Sequence, residues 1–193
     1  MASAAAQSAI DSSSPPMVDP TVSGDTRSAP QVEALSYFFP AHNEAENIEQ
    51  LVSEAVAELP ALAQRFEIIA VDDGSTDGTG AIADRLATEH PDVVRAVHHD
   101  VNQGYGAALR SGLGAARYPL VCFTDGDRQF RIADLGPLLD RMRQPADSGS
   151  VALPDVVVGY RIKRADPPIR LAYARVYRAC LRLLFGLHVR DVD

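Results

Sequence analysis

Short apolar runs recur along this chain, and each ends in a polar cluster before a helical pattern begins. The runs at 35–39, 66–71, 93–98, 120–124 and 155–159 read as strands. Helical spacing follows at 45–58, from the Asp-rich turn to about residue 90, and at 106–116, 132–142 and 170–187. Such alternation predicts an α/β fold with a mostly parallel sheet flanked by helices. The polar clusters are PAHNE (40–44), DDGS (72–75), HDVNQGYG (99–106), DGDRQ (125–129) and YR (160–161). All five sit at carboxyl ends of strands, the edge where open α/β sheets bind ligands. Five on one edge predict a binding crevice.

At 193 residues the chain is long enough for one domain with its own core. Residues 1–30 hold no aromatic residue and are mostly Ala, Ser, Pro, Thr and Gly, so they read as a disordered tail. Residues 31–193 form the predicted domain. The stop at Asp193, just after a helical pattern, reads as the truncated end of a longer unit. The tail lacks the basic start and apolar run of a secretory signal, and no stretch of about 18 apolar residues occurs. Two cysteines exclude a disulfide scaffold and a four-thiolate zinc site. Cys122 and Cys180 read as packing residues, and the predicted location is cytoplasmic. The net charge of −8 argues against nucleic-acid binding. It is uneven: residues 155–193 hold eight basic against four acidic residues, which leaves −12 on residues 1–154.

The clusters carry distinct chemistry. Asp125 and Asp127 flank a glycine at a strand end, and two hard oxygens there suit Mg²⁺ or Mn²⁺ shared with substrate phosphates. Gln129 adds a carbonyl oxygen. The plain alternative is an Asp-rich turn. A haloacid-dehalogenase-type phosphatase also has Asp-x-Asp after a strand, but Gln129 stands where that family wants Thr or Val. Asp72 and Asp73 can accept bonds from a base or ribose, and Thr76 or Asp77 can cap the next helix. A calcium loop is disfavoured, because no helix precedes the turn and the Glu is misplaced. Asn43 with Glu46 resembles a capping box opening the helix at 45. NQGYG holds Gly104 and Gly106 without the third glycine of a dinucleotide fingerprint, so it reads as a flexible turn near phosphate or sugar.

In the basic segment, Arg175, Arg178 and Arg182 share one helical face, with an apolar face opposite. A solvated helix face and a helix lying on a membrane surface both fit that pattern. Arg161, Arg164 and Arg170 can clamp a phosphate.

Taken in order, PAHNEAENI, VDDGSTDGT, NQGYGAALRSG, TDGDRQF and VVGYR resemble the motifs of a family 2 glycosyltransferase of the GT-A fold. Within it the chain is similar to the dolichol-phosphate and polyprenyl-phosphate mannosyl- or glucosyltransferases, over about residues 33–193. The resemblance implies an inverting transfer of a hexose from a nucleotide-sugar, GDP-mannose or UDP-glucose, to a polyprenyl or dolichyl phosphate. It implies that Pro40, Ala41, Asn43, Glu44, Ser75 and Gly104 line the nucleotide pocket. Asp72 and Asp73 match the acidic pair that holds the nucleoside. Asp125 and Asp127 match the DxD metal motif, and Gln129 matches a residue that completes the metal shell. Arg161 and Arg170 match basic positions near the acceptor phosphate. Asp191 is the candidate base for a hydroxyl acceptor. A peripheral contact with the cytoplasmic face of a membrane follows from such an acceptor. A sugar nucleotidyltransferase shares a similar sheet but wants a Gly-rich basic loop after the first strand, which PAHNE lacks. A nucleotide-sugar-binding domain without turnover is the remaining alternative.

Overall fold

The computed structural model describes residues 31–145, 152–159, 176, 182 and 183. Four strands, β1 (Val32–Ala41), β2 (Ala63–Asp72), β3 (Val94–His98) and β4 (Val121–Phe123), form one parallel sheet of order β3-β2-β1-β4. Helices α1 (Ile48–Leu62), α2 (Thr79–Glu89), α3 (Tyr105–Ala115) and α4 (Leu135–Met142) connect and cover it, with a 3₁₀ turn at Ile132–Asp134.

The two central strands, β1 and β2, are buried on both faces over most of their length, which is why they read as continuous apolar runs rather than alternating ones. Leu35, Tyr37, Phe39, Ile68 and Ala70 face α1, α2 and α4 in the larger core. Phe38, Ile69 and Val71 point the other way, against Ala108 of α3. Each fully buried large side chain contributes about 1.5–3 kcal/mol. Helix α3 is rich in small residues because it lies close on Phe38: a Cβ at Gly112 would fall 2.8 Å from the Phe38 ring carbon Cγ and nearer to two others.

One buried charge interrupts the second face. Glu67 accepts hydrogen bonds from the Ser36 hydroxyl (2.6 Å), the Arg117 backbone N–H (2.6 Å) and Arg95 Nε (3.1 Å). Arg95 also donates to the Ala115 carbonyl at the end of α3. Three strands and the turn leading to β4 are thereby pinned by one carboxylate.

Two expectations need correction. Residues 155–159 are not a strand: Val156 and Val158 are exposed and have no neighbouring strand among the described residues. A β-branched run without a ladder partner has nothing to hold it extended. Helix α1 begins at Ile48 rather than 45, and Asn43 is no cap, for a reason that lies in the site. The tail at 1–30 and Cys180 lie outside the described residues, as does the helix expected at 170–187 apart from Val176, Arg182 and Leu183, which are helical and exposed.

Candidate active site

Strands β1 and β2 end in register, Ala41 opposite Asp72, and the Asp73 N–H donates to the Ala41 carbonyl (2.9 Å). The two following loops are stitched together residue by residue. Asn43 takes a left-handed conformation (φ 57°), and its Oδ1 accepts from the Thr76 N–H (2.9 Å). The Asn43 N–H donates to the Ser75 hydroxyl (3.0 Å), that of Glu44 to the Thr79 hydroxyl (2.9 Å) and that of Ala45 to Asp77 (3.0 Å). These bonds occupy the segment that the capping-box pattern assigned to a helix start, so the helix opens later. Asp77 also accepts from the Thr79 N–H (3.0 Å) at the start of α2.

The adjacent aspartates point apart, as consecutive residues at a strand end do. Asp72 turns into its own loop, accepting from the Ser75 N–H (3.0 Å) and bonding His98 Nδ1 (3.1 Å). Burial alone would raise its pKa, but the Ser75 and His98 bonds outweigh burial and lower it. Asp73 faces the next loop. Its Oδ1 accepts from the Gln103 N–H (2.8 Å) and bonds His99 Nδ1 (2.6 Å), and its Oδ2 accepts from the Gly104 N–H (2.9 Å). Burial again opposes ionisation and again loses, here to the Gln103, His99 and Gly104 bonds, so Asp73 is held below the ordinary carboxylate range. His42 donates from Nδ1 to the Asp73 carbonyl (2.8 Å), which leaves its Nε2 to accept from Asn43 Nδ2 (3.2 Å).

On the other side of β1, the turn after β4 comes so near that a Cβ at Gly126 would lie 2.7 Å from the Pro40 carbonyl oxygen. Between these walls lies a cleft of about 570 Å³, within the range of ligand pockets. Of the expected residues, Pro40, Ala41, Glu44, Asp73, Gly104, Asp125 and Asp127 line it. Asn43, Asp72, Ser75 and Gln129 are not part of the lining. Arg161, Arg170, Asp191 and the YR cluster lie outside the described residues. Sequence reasoning passed over His42, Asn102, Tyr105, Ala108 and Gly126, which also line the cleft. All but Ala108 fall inside the quoted polar clusters, and that is the signal that marks them.

The donor set fits a divalent cation. Asp125 accepts from the Tyr105 hydroxyl (2.8 Å) and Asp127 from the Gln129 N–H (3.0 Å), each through Oδ1. Each keeps its Oδ2 without a hydrogen-bond partner among the described residues. Two such oxygens are hard ligands for Mg²⁺ or Mn²⁺. Among the described residues no group of three or more His, Cys, Asp and Glu is placed to hold a metal unaided.

The family model Glycosyl transferase family 2 matches residues 36–178. Glycosyltransferase AglD of Haloferax volcanii is 36% identical over 162 residues, 81% of this chain and 25% of that protein. Polyprenol monophosphomannose synthase of Mycolicibacterium smegmatis is 34% identical over 158 residues, 79% of this chain and 56% of that one. The solved mannosyltransferase PcManGT of Pyrobaculum calidifontis, in complex with GDP-Man and Mn²⁺, superposes with a TM-score of 0.50 at 28% identity. That match covers 57% of this chain and 32% of the other. The chain thus spans from a quarter to somewhat over half the length of these relatives.

Proposed function

This chain belongs to glycosyl transferase family 2, and from that premise we propose that it binds a nucleotide-sugar in the cleft and transfers the hexose to a polyprenyl or dolichyl phosphate with inversion. The observation that carries this reading is the convergence of Pro40, Ala41 and Asp73 with Asp125 and Asp127 on one cleft. A nucleoside needs an apolar surface and fixed acceptors, and a diphosphate needs cationic charge. The first wall offers the former, and the second offers ligands for a cation that supplies the latter.

In this reading Asp73 meets the nucleoside, and Asp72 and Ser75 hold the turn that presents it. Three of the hydrogen bonds at Asp73 come from the protein, so one lone pair on Oδ2 remains for a ligand N–H or O–H. GDP-mannose and UDP-glucose both carry such donors. Asp125 and Asp127, with Gln129 beside them, hold Mg²⁺ or Mn²⁺. When bound, the ion neutralises the leaving nucleoside diphosphate as a Lewis acid. Tyr105 keeps Asp125 turned toward the cleft.

A lipid phosphate is already largely ionised near neutral pH, so its oxygen needs little help from a base to attack the anomeric carbon. The chain's task is then to hold two anionic substrates close together, which is positioning and electrostatic work. Arg161 and Arg170 are assigned to the acceptor phosphate, and Asp191 to proton removal if the acceptor is a hydroxyl. No helix among the described residues is long and apolar enough to cross a membrane. We assign the lipid acceptor to a peripheral contact of the basic segment with the cytoplasmic face.

Calorimetric titration with GDP and UDP, in Mg²⁺ and in Mn²⁺, tests the donor site. One nucleotide should bind in a metal-dependent way, and D127A should lose that dependence. No metal-dependent binding of either nucleotide to the wild-type chain would overturn the reading. Turnover of labelled nucleotide-sugar with polyprenyl phosphate then tests the acceptor.

A further inference from the structure

We propose that His99, backed by Ser111, is a positioning residue that holds the Asp73 carboxylate toward the cleft and so sets how tightly the cleft takes a nucleoside diphosphate; this rests on the donor-site reading above. His98 and His99 meet Asp72 and Asp73 one to one. The first pair points away from the cleft, toward Asp84 on α2, where His98 Nε2 bonds Asp84 (3.0 Å). The second pair points into α3. His99 Nδ1 lies 2.6 Å from Asp73 Oδ1, and its Nε2 lies 2.7 Å from the Ser111 hydroxyl. Both side chains are almost fully buried, at 8% and 5% exposure.

A carboxylate oxygen only accepts, so Nδ1 carries the proton in this bond. In the neutral ring Nε2 then accepts from the Ser111 hydroxyl, and the partner of one nitrogen fixes the state of the other. Ser, His and Asp therefore stand in the bonding order of a serine-hydrolase triad. The direction is reversed, however. In a hydrolase the hydroxyl faces substrate and the acid lies behind the imidazole. Here Asp73 lines the cleft and Ser111 does not. The relay orients the acid rather than activating the hydroxyl.

Its effect reaches beyond one bond. Without His99, Oδ1 of Asp73 keeps only the Gln103 N–H, from a surface loop, and the carboxylate loses its tie to the body of α3. The same carboxylate anchors the N–H of Gly104, the residue that opens α3. A carboxylate free to rotate presents its remaining lone pair in several directions, and a ligand must then order it on binding.

The test uses the full chain, with GDP and UDP in Mn²⁺ as calorimetric probes. His99→Asn places its amide nitrogen where Nδ1 stood and should keep affinity within about threefold of wild type. His99→Phe should lose roughly tenfold or more, the scale of one charge-assisted hydrogen bond. His99→Gln reaches Ser111 but not Asp73, and it supplies the same reading if the Phe variant does not fold. A purely structural role would weaken the Asn and Phe variants alike, in step with their melting temperatures. Equal weakening, or a Phe or Gln variant within twofold of wild type, overturns the inference while leaving the donor site intact. Failure of the wild type to bind either nucleotide overturns both. Imidazole ¹⁵N spectra give an independent check. A protonated Nδ1 on His99 that changes state in D73N is expected, and an unprotonated Nδ1 sinks the relay.

Discussion

Gly74→Ala measures how closely the two nucleotide-side loops approach. Gly74 sits in the left-handed region (φ 64°), and a Cβ there would lie 2.7 Å from Val101 Cα and nearer still to the Val101 carbonyl carbon and the Asn102 nitrogen. These are backbone atoms of the loop that carries Asn102 and Gly104 into the cleft, so the collision cannot be relieved by a rotamer change. Two costs add: about 1–2 kcal/mol for a non-glycine residue in left-handed backbone, and about 1–3 kcal/mol for overpacking. Gly78 separates them. It too has positive φ (99°), but a Cβ there meets nothing within 4 Å. G78A should therefore cost about 1–2 kcal/mol, and G74A about 2–5 kcal/mol. Urea unfolding, compared at equal m-values, gives both numbers. G74A should also weaken nucleotide binding, because the 101–104 loop must retreat. Equal destabilisation by the two variants would refute the close approach.

The pH dependence of stability should carry a mark of His98. Burial alone would lower its pKa, but the bonds to Asp72 and Asp84 outweigh burial and raise it. A raised folded-state value gives stability that is complete below the ordinary histidine pKa of about 6.5 and is lost as pH rises through the folded value. The melting temperature should fall as pH rises above about 6.5 and do so less steeply in H98F; parallel slopes would contradict the assignment. Glu67→Ala, which strands Arg95 and two other donors, should cost about 3–5 kcal/mol by denaturant midpoint. Glu67→Gln, which keeps an acceptor, should cost less, and a reversed order would discount the buried charge.

The layered order of the fold was legible because parallel strands buried on both faces leave unbroken apolar runs such as LSYFF and EIIAV. The polar clusters were legible for the complementary reason: nothing else in an α/β chain requires such groups at strand ends. What escaped was long-range. Asn43 carries a local capping signature, yet its partners stand more than thirty residues away at Ser75 and Thr76. Strand β2 begins at Ala63 rather than 66, because residues 63–65 ladder with the start of β1 despite exposed Gln64 and Arg65. The run at 155–159 has strand composition and no partner. Ser111 is an ordinary helical residue until the fold sets it against His99.

The register of the sheet gives the cleft two walls of unequal strength. Strand β1 ladders with β2 from Val32 to Ala41, but with β4 only from Ser36 to Phe38. The wall carrying Asp73 grows from the long seam, and the turn carrying Asp125 and Asp127 hangs from the short one. Local opening begins where few bonds hold. Among the described residues the carboxylate jaw is thus held by the shorter ladder, and the wall opposite by the longer one. A ligand touching both would act as a clasp across the shortest seam among the described strands, adding to the sheet a tie that the ladder there does not supply.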